Sequence, residues 1–130
     1  MGGAMKAIAE VIDHHRTIEA WLSGRTSDLG GFFDMHTPDF TWYDPDGAML
    51  TLTDLRDAMR KAHGTAPGLR IHIREPQGLL ETDDLTVVTY EEHHPDTARR
   101  AVAIMVPAPT ARNGLLWRTL HESWTRTTPS

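Results

Sequence analysis

Eight histidines stand among 130 residues, and histidine is the side chain whose charge changes nearest neutral pH. His14 and His15 are adjacent, and two more histidines close the run Glu91-Glu92-His93-His94. Alternate side chains of a strand share a face, so Glu91 pairs with His93 and Glu92 with His94. Either pair, joined by His121, would make a two-histidine, one-carboxylate metal triad. The same run also reads as a polar strand end leading into the turn at Pro95. No HExxH or comparable spacing accompanies it, and no metal ligand is assigned. Asp44 opens the turn sequence Asp44-Pro45-Asp46-Gly47. The aromatic side chains Phe32, Phe40, Trp42 and Trp117 suit either a flat apolar ligand or plain core packing.

The elements that position these groups follow from periodicity. In the segment Ala4 to Leu22, the residues Ile8, Val11, Ile12, Ile18 and Leu22 fall on one helical face. His15 lies at the middle of that face and His14 at its edge. A second helix is predicted over Ser27 to Met35, weakened by Gly30-Gly31; His36 ends its apolar row. Phe40 to Asp44 reads as a short aromatic strand and Ala48 to Leu50 as its return. Thr51 with Asp54 forms a capping box for a third helix with the stripe Leu55, Ala58, Met59 and Ala62.

From Pro67 onward the pattern is strand. Leu69, Ile71 and Ile73 alternate with Arg70, His72 and Arg74, and Thr86–His94, Ala101–Val106 and Leu115–Trp124 follow, interrupted at Pro76-Gln77-Gly78, Pro95-Asp96 and 111–114. These strands are expected to pair antiparallel. On the last of them Trp117, Thr119, His121 and Ser123 share one face. Arg118, Glu122 and Trp124 share the other with Leu116 and Leu120. Burying an arginine in an apolar pocket is costly, so the Trp117/His121 face is expected inward. Helices gathered at one end of the chain and strands at the other argue α+β, with a ligand-sized space between helices and sheet.

Composition excludes other classes. Apolar residues are 39% and charged residues 24%, the balance of an ordinary globular chain. The length is that of one domain, spanning 1–130. The absence of cysteine excludes a thiol nucleophile, a disulfide scaffold and a Cys-ligated metal. A formal net charge of −5 with scattered basic residues argues against nucleic acid and against an anionic membrane surface. No apolar run approaches the roughly 20 residues of a membrane helix. The first residues carry no signal-peptide pattern, so a cytoplasmic location is expected. No phosphate loop, dinucleotide fingerprint or nucleophile elbow occurs, and no organic cofactor is expected.

Three stretches carry a resemblance. They are TPDFTWYDPDG from Thr37 to Gly47, LTVVTY from Leu85 to Tyr90, and LWRTLHESW from Leu116 to Trp124. With the order of elements, they resemble the nuclear transport factor 2-like superfamily, nearest to its SnoaL-like and ketosteroid isomerase-like members of unknown function. The resemblance implies a cone-shaped, curved antiparallel or mixed sheet wrapped around the N-terminal helices. It also implies a pocket lined by the helices and the concave face, and a homodimer through the outer face.

Asp44 matches the position that supplies the general base in ketosteroid isomerases, an enzyme whose tyrosine and protonated-aspartate oxyanion hole is a standard example. This chain departs from that pattern: the first helix has no tyrosine and the strand Ala101–Val106 has no aspartate. The expected function is a small-molecule pocket protein. Its chemistry would be proton transfer of isomerase, dehydratase or cyclase type on a small apolar carbonyl compound, with Asp44, His15 and His121 as acid–base candidates. His36, Phe32, Phe40, Trp42 and Trp117 would line the pocket. The alternatives are a non-catalytic binding or dimerisation module and the histidine–carboxylate metal site.

Overall fold

The computed structural model describes residues 2–126. Helix α1 (Gly3–Leu22) is followed by one helical turn, α2 (Gly30–Phe33), then strands β1 (His36–Tyr43) and β2 (Met49–Thr51), and helix α3 (Leu52–Ala62). Strands β3 (His72–Glu81), β4 (Thr86–His93), β5 (Ala98–Pro107) and β6 (Leu115–Trp124) complete the chain. The predicted second helix contracts to that single turn, as its paired glycines dictate. The Thr51–Asp54 capping box forms in both directions, at 2.9 and 3.2 Å. Strand β3 runs through Pro76 instead of stopping there, because the pairing with β4 shifts register beside Glu75, whose φ is +51°, a bulge that leaves the proline out of the ladder.

The six strands form one curved, unclosed sheet in the order β2-β1-β6-β5-β4-β3. All neighbours are antiparallel except β1 with β6. Helix α1 lies on the concave face. Its close approach to β3 depends on Gly78, where a Cβ would lie 2.5 Å from that of Ala4. The core between helix and sheet holds Ala7, Val11, Val88, Tyr90, Met105 and Trp117. A second cluster, of Trp21, Leu29, Phe32, Phe33 and Met59, ties the far end of α1 to α2 and α3. Among the described residues no helix is long and apolar enough to cross a membrane.

The buried face of α1 differs from its apolar row. Ile8 and Ile12 are only half-buried, whereas Glu10, His14 and His15 are buried. Glu10 is fully enclosed. Its carboxylate accepts from Arg112 at 3.0 and 3.2 Å, from Asn113 Nδ2 at 3.0 Å and from Trp117 Nε1 at 2.9 Å. The β5–β6 connection is thereby pinned to the middle of the helix. An enclosed carboxylate survives only with such saturation. Replacing Glu10 with alanine strands the Trp117 and Asn113 donors, so Glu10→Ala should cost about 3 kcal/mol in urea denaturation. A loss under about 0.5 kcal/mol, the scale of a plain surface change, would contradict the assignment.

Candidate active site

A cavity of about 220 Å³ opens where the two apolar clusters meet. Its apolar wall comes from Ile18 and Leu22 on α1, Leu55 and Met59 on α3, and Phe32 and Phe40. Its polar end comes from α1 and the concave sheet face: His15, Glu92, His94, Arg99 and Glu122, with Trp42 beside them.

Strand parity builds that end. Glu92 faces Arg99 across β4 and β5, and Ala101 faces Glu122 across β5 and β6, so the two carboxylates flank β5. Glu92 Oε1 lies 2.8 Å from His15 Nε2, and Oε2 lies 2.5 Å from His94 Nε2. His15 Nδ1 lies 2.7 Å from the Val11 carbonyl, which can only accept, so Nδ1 carries a proton. Burial opposes charge on His15, but the Glu92 charge and hydrogen bond outweigh it and raise its pKa. Burial likewise opposes ionisation of Glu92, and His15 and His94 overcome it, holding Glu92 well below the usual carboxylate range.

Glu122 is treated differently. Its Oε1 accepts from Trp42 Nε1 at 2.7 Å and from Arg99 at 3.5 Å, while Oε2 has no hydrogen bond among the described residues. Burial first, and the neighbouring charge of Glu92 second, push Glu122 up to about 6. Arg99 stacks on Trp124 with its guanidinium carbon 4.7 Å from the ring centre.

At the other end of the cavity, His14 Nε2 and His36 Nε2 are 3.0 Å apart. His36 Nδ1 is 3.3 Å from the Phe33 carbonyl and so donates to it, which makes His36 Nε2 the acceptor for His14. Burial lowers His36 to about 4. Burial, then His36, lower His14 well below its ordinary value. Both imidazoles are therefore neutral at pH 7. His14 is held between Trp117 and Phe32, ring centres 4.2 and 4.6 Å away.

The candidates read from sequence separate into two groups. His15, His36, Phe32, Phe40 and Trp42 line the cavity. Trp117 is fully buried behind His14 and lies outside the lining. Asp44 stays in its turn, Oδ1 accepting from the amides of Ala48 at 2.8 Å and Asp46 at 3.0 Å, and does not reach the cavity. His121 is exposed on the convex face against Tyr43.

The expectation that Trp117 and His121 share an inward face is corrected by a bulge. Met105 pairs with Trp117 but Ile104 pairs with Thr119, so Arg118 is an extra residue and parity switches after it. Leu120 and Glu122 consequently turn inward and His121 outward. The proposed metal triads lose His121 for the same reason: it lies opposite Val102, itself opposite Thr89, two strands from Glu91 and on the far face from Glu92. Among the described residues no three carboxylate or histidine side chains stand close enough to hold a metal ion. Reading the sequence also missed Glu122, since nothing in LWRTLHESW marks the position of the bulge, and Arg99, which carries no local signal beyond its adjacency to Arg100.

No protein-family model matches the chain, and no curated protein sequence matches it. Solved structures do. An NTF2-like protein of unknown function from Pseudomonas aeruginosa has a TM-score of 0.87 at 27% identity, covering 93% of this chain and 99% of that one. The S. rosetta CaMKII hub has a TM-score of 0.72 at 19% identity over 96% of this chain and 98% of its own. A candidate ketosteroid isomerase from Parabacteroides distasonis has 0.60 at 14% identity over 89% and 86%. Likenesses as distant as the last two speak for fold alone. A curved, unclosed sheet clasping a long N-terminal helix, shared over nearly the full length of these chains, gives this protein the nuclear transport factor 2-like fold.

Proposed function

We propose that the protein binds a small, largely apolar carbonyl compound in its cavity and moves a proton on it through Glu122. The observation that carries this reading is a carboxyl group, 4% exposed, raised to about 6 by burial and by Glu92, with one oxygen free of partners among the described residues in a largely apolar chamber. A base whose pKa lies near the working pH combines availability with driving force. Ionised Glu122 Oε2 would take a proton from the carbon next to the carbonyl: the C–H bond breaks, an O–H bond forms, and the electron pair moves onto the carbonyl oxygen. The fixed cation Arg99 beside Glu122 favours that developing charge. Return of the proton to another carbon completes an isomerisation; loss of a leaving group completes an elimination. We assign the base to Glu122 rather than to Asp44, whose carboxylate already accepts two amides.

Deuterium incorporation next to the carbonyl of 2-tetralone, followed by NMR in D₂O, tests this. The exchange rate should rise with pH through about 6 as Glu122 ionises. Glu122→Gln should lower it at least about 100-fold, whereas Asp44→Asn, which keeps the turn acceptor, should leave it within about twofold. Exchange no faster than the buffer blank at any pH would reject the reading.

Stability offers a second check. A carboxyl raised above its unfolded value stabilises the fold fully below that value, and the contribution is lost as pH rises through the folded pKa. From 4.5 to about 6, the loss is about 2 kcal/mol. Relative to the wild type, Glu122→Gln should therefore gain about that much between pH 4 and pH 7; parallel stability curves would count against a raised Glu122.

A second reading concerns self-association. Tyr43, His121 and Val102 form an exposed row across β1, β6 and β5 on the convex face, and the fold is shared with a domain named as a hub. We propose that this face joins two copies of the chain. Sedimentation equilibrium at micromolar concentration should return twice 14.6 kDa, and Val102→Arg should return the single mass. A wild-type monomer would exclude the dimer.

A further inference from the structure

Two carboxylates flank β5 in the cavity, and their hydrogen-bonding partners are unequal. Glu92 is bonded at both oxygens, to His15 at 2.8 Å and to His94 at 2.5 Å. Glu122 has one neutral donor, Trp42, a long contact to Arg99, and one free oxygen. His15 Nδ1–H donates to the Val11 carbonyl, and Nε2 lies 2.8 Å from Glu92; Glu92 raises the pKa of His15 and His15 lowers that of Glu92, so the pair is held as imidazolium and carboxylate. Side chains with these partners cannot trade roles without breaking two short contacts.

We propose that Glu92 is a positioning residue, a fixed negative charge clamped between His15 and His94 that makes Glu122 the group exchanging protons with a ligand. The proposal rests on the acid–base reading of Glu122 for its chemical meaning, but not for its test. The groups that face Glu122 are Glu92 from β4, Arg99 from β5, Trp42 from β1 and His15 from α1. Tyr90 from β4 stands near both carboxylates with its hydroxyl buried and unpartnered. Of these, Glu92 alone opposes a second negative charge. Arg99 and His15 favour ionisation, so Glu92 with burial must outweigh them. His94 is reached from outside, with a side chain 20% exposed, and clamps Glu92 from the rim. Two like charges that interact across one strand separate into one that keeps its charge and one that titrates at higher pH.

The test is a carboxyl ¹³C NMR titration of the ligand-free protein, the Glu122 resonance identified by its loss in Glu122→Gln. In the unmodified protein, Glu122 should titrate near pH 6 and Glu92 should stay ionised between about pH 4 and pH 8. In Glu92→Gln the Glu122 midpoint should fall by about one unit or more. Titration of Glu92 inside that window, or a Glu122 midpoint that stays or rises in Glu92→Gln, would overturn the proposal. Should Glu92→Gln fail to fold, the two midpoints of the unmodified protein decide alone. A protein that titrates as expected yet exchanges no deuterium into 2-tetralone would reject the catalytic reading and leave the role of Glu92 standing.

Discussion

Helix α1 buries Glu10, His14 and His15 on the side that faces the sheet, and a buried ionisable group must find its partner or unfold the element that carries it. Each residue is met from a different quarter: Glu10 by Arg112, Asn113 and Trp117, His14 by His36, and His15 by Glu92. Three directional contacts of this kind fix both the rotation of the helix and its height above the sheet, which apolar packing alone leaves loosely specified. The cavity is the space that remains once the helix is pinned, and its polar end is the far side of those same contacts.

That origin explains why the chamber holds charges at all. Glu92 answers His15, and its charge then falls on Glu122 across β5. Burial raises Glu122 first, and the charge that answers His15 adds to that shift, with Arg99 offsetting part of the repulsion. At the opposite end burial keeps His14 and His36 neutral, and for His14 the neighbouring His36 adds to it. One chamber thus has an ionic end and a neutral, ring-lined end, an arrangement suited to a ligand polar at one terminus only.

Much of the fold was legible in residues. The Thr51–Asp54 box, the alternation along Thr86–His94 and the strand Leu115–Trp124 follow from periods and caps that act over a few neighbours, and the pairing of Glu91 with His93 and Glu92 with His94 follows from strand parity. The site was legible only in part. His15 and His36 stand out because they interrupt apolar patterns, and both line the cavity. Asp44 reads from sequence both as a base and as the opening of a turn, and its carboxylate is used by the turn. An unbroken alternation through Arg118 puts Glu122 on the outer face, whereas the bulge is set by tertiary pairing with β1 and β5, which no local window contains.

The Arg118 bulge has an implication for how such a chamber changes over time. Upstream and downstream of it, one strand shows opposite faces to the interior. Absorbing Arg118 into the ladder, with no residue lost, would carry His121 inside and Glu122 outside while every residue of the strand kept its identity. A chamber built on this sheet can therefore swap a carboxylic acid for an imidazole by a shift of register. Sequence alignment, which matches letters and not faces, would score the two chambers as nearly the same.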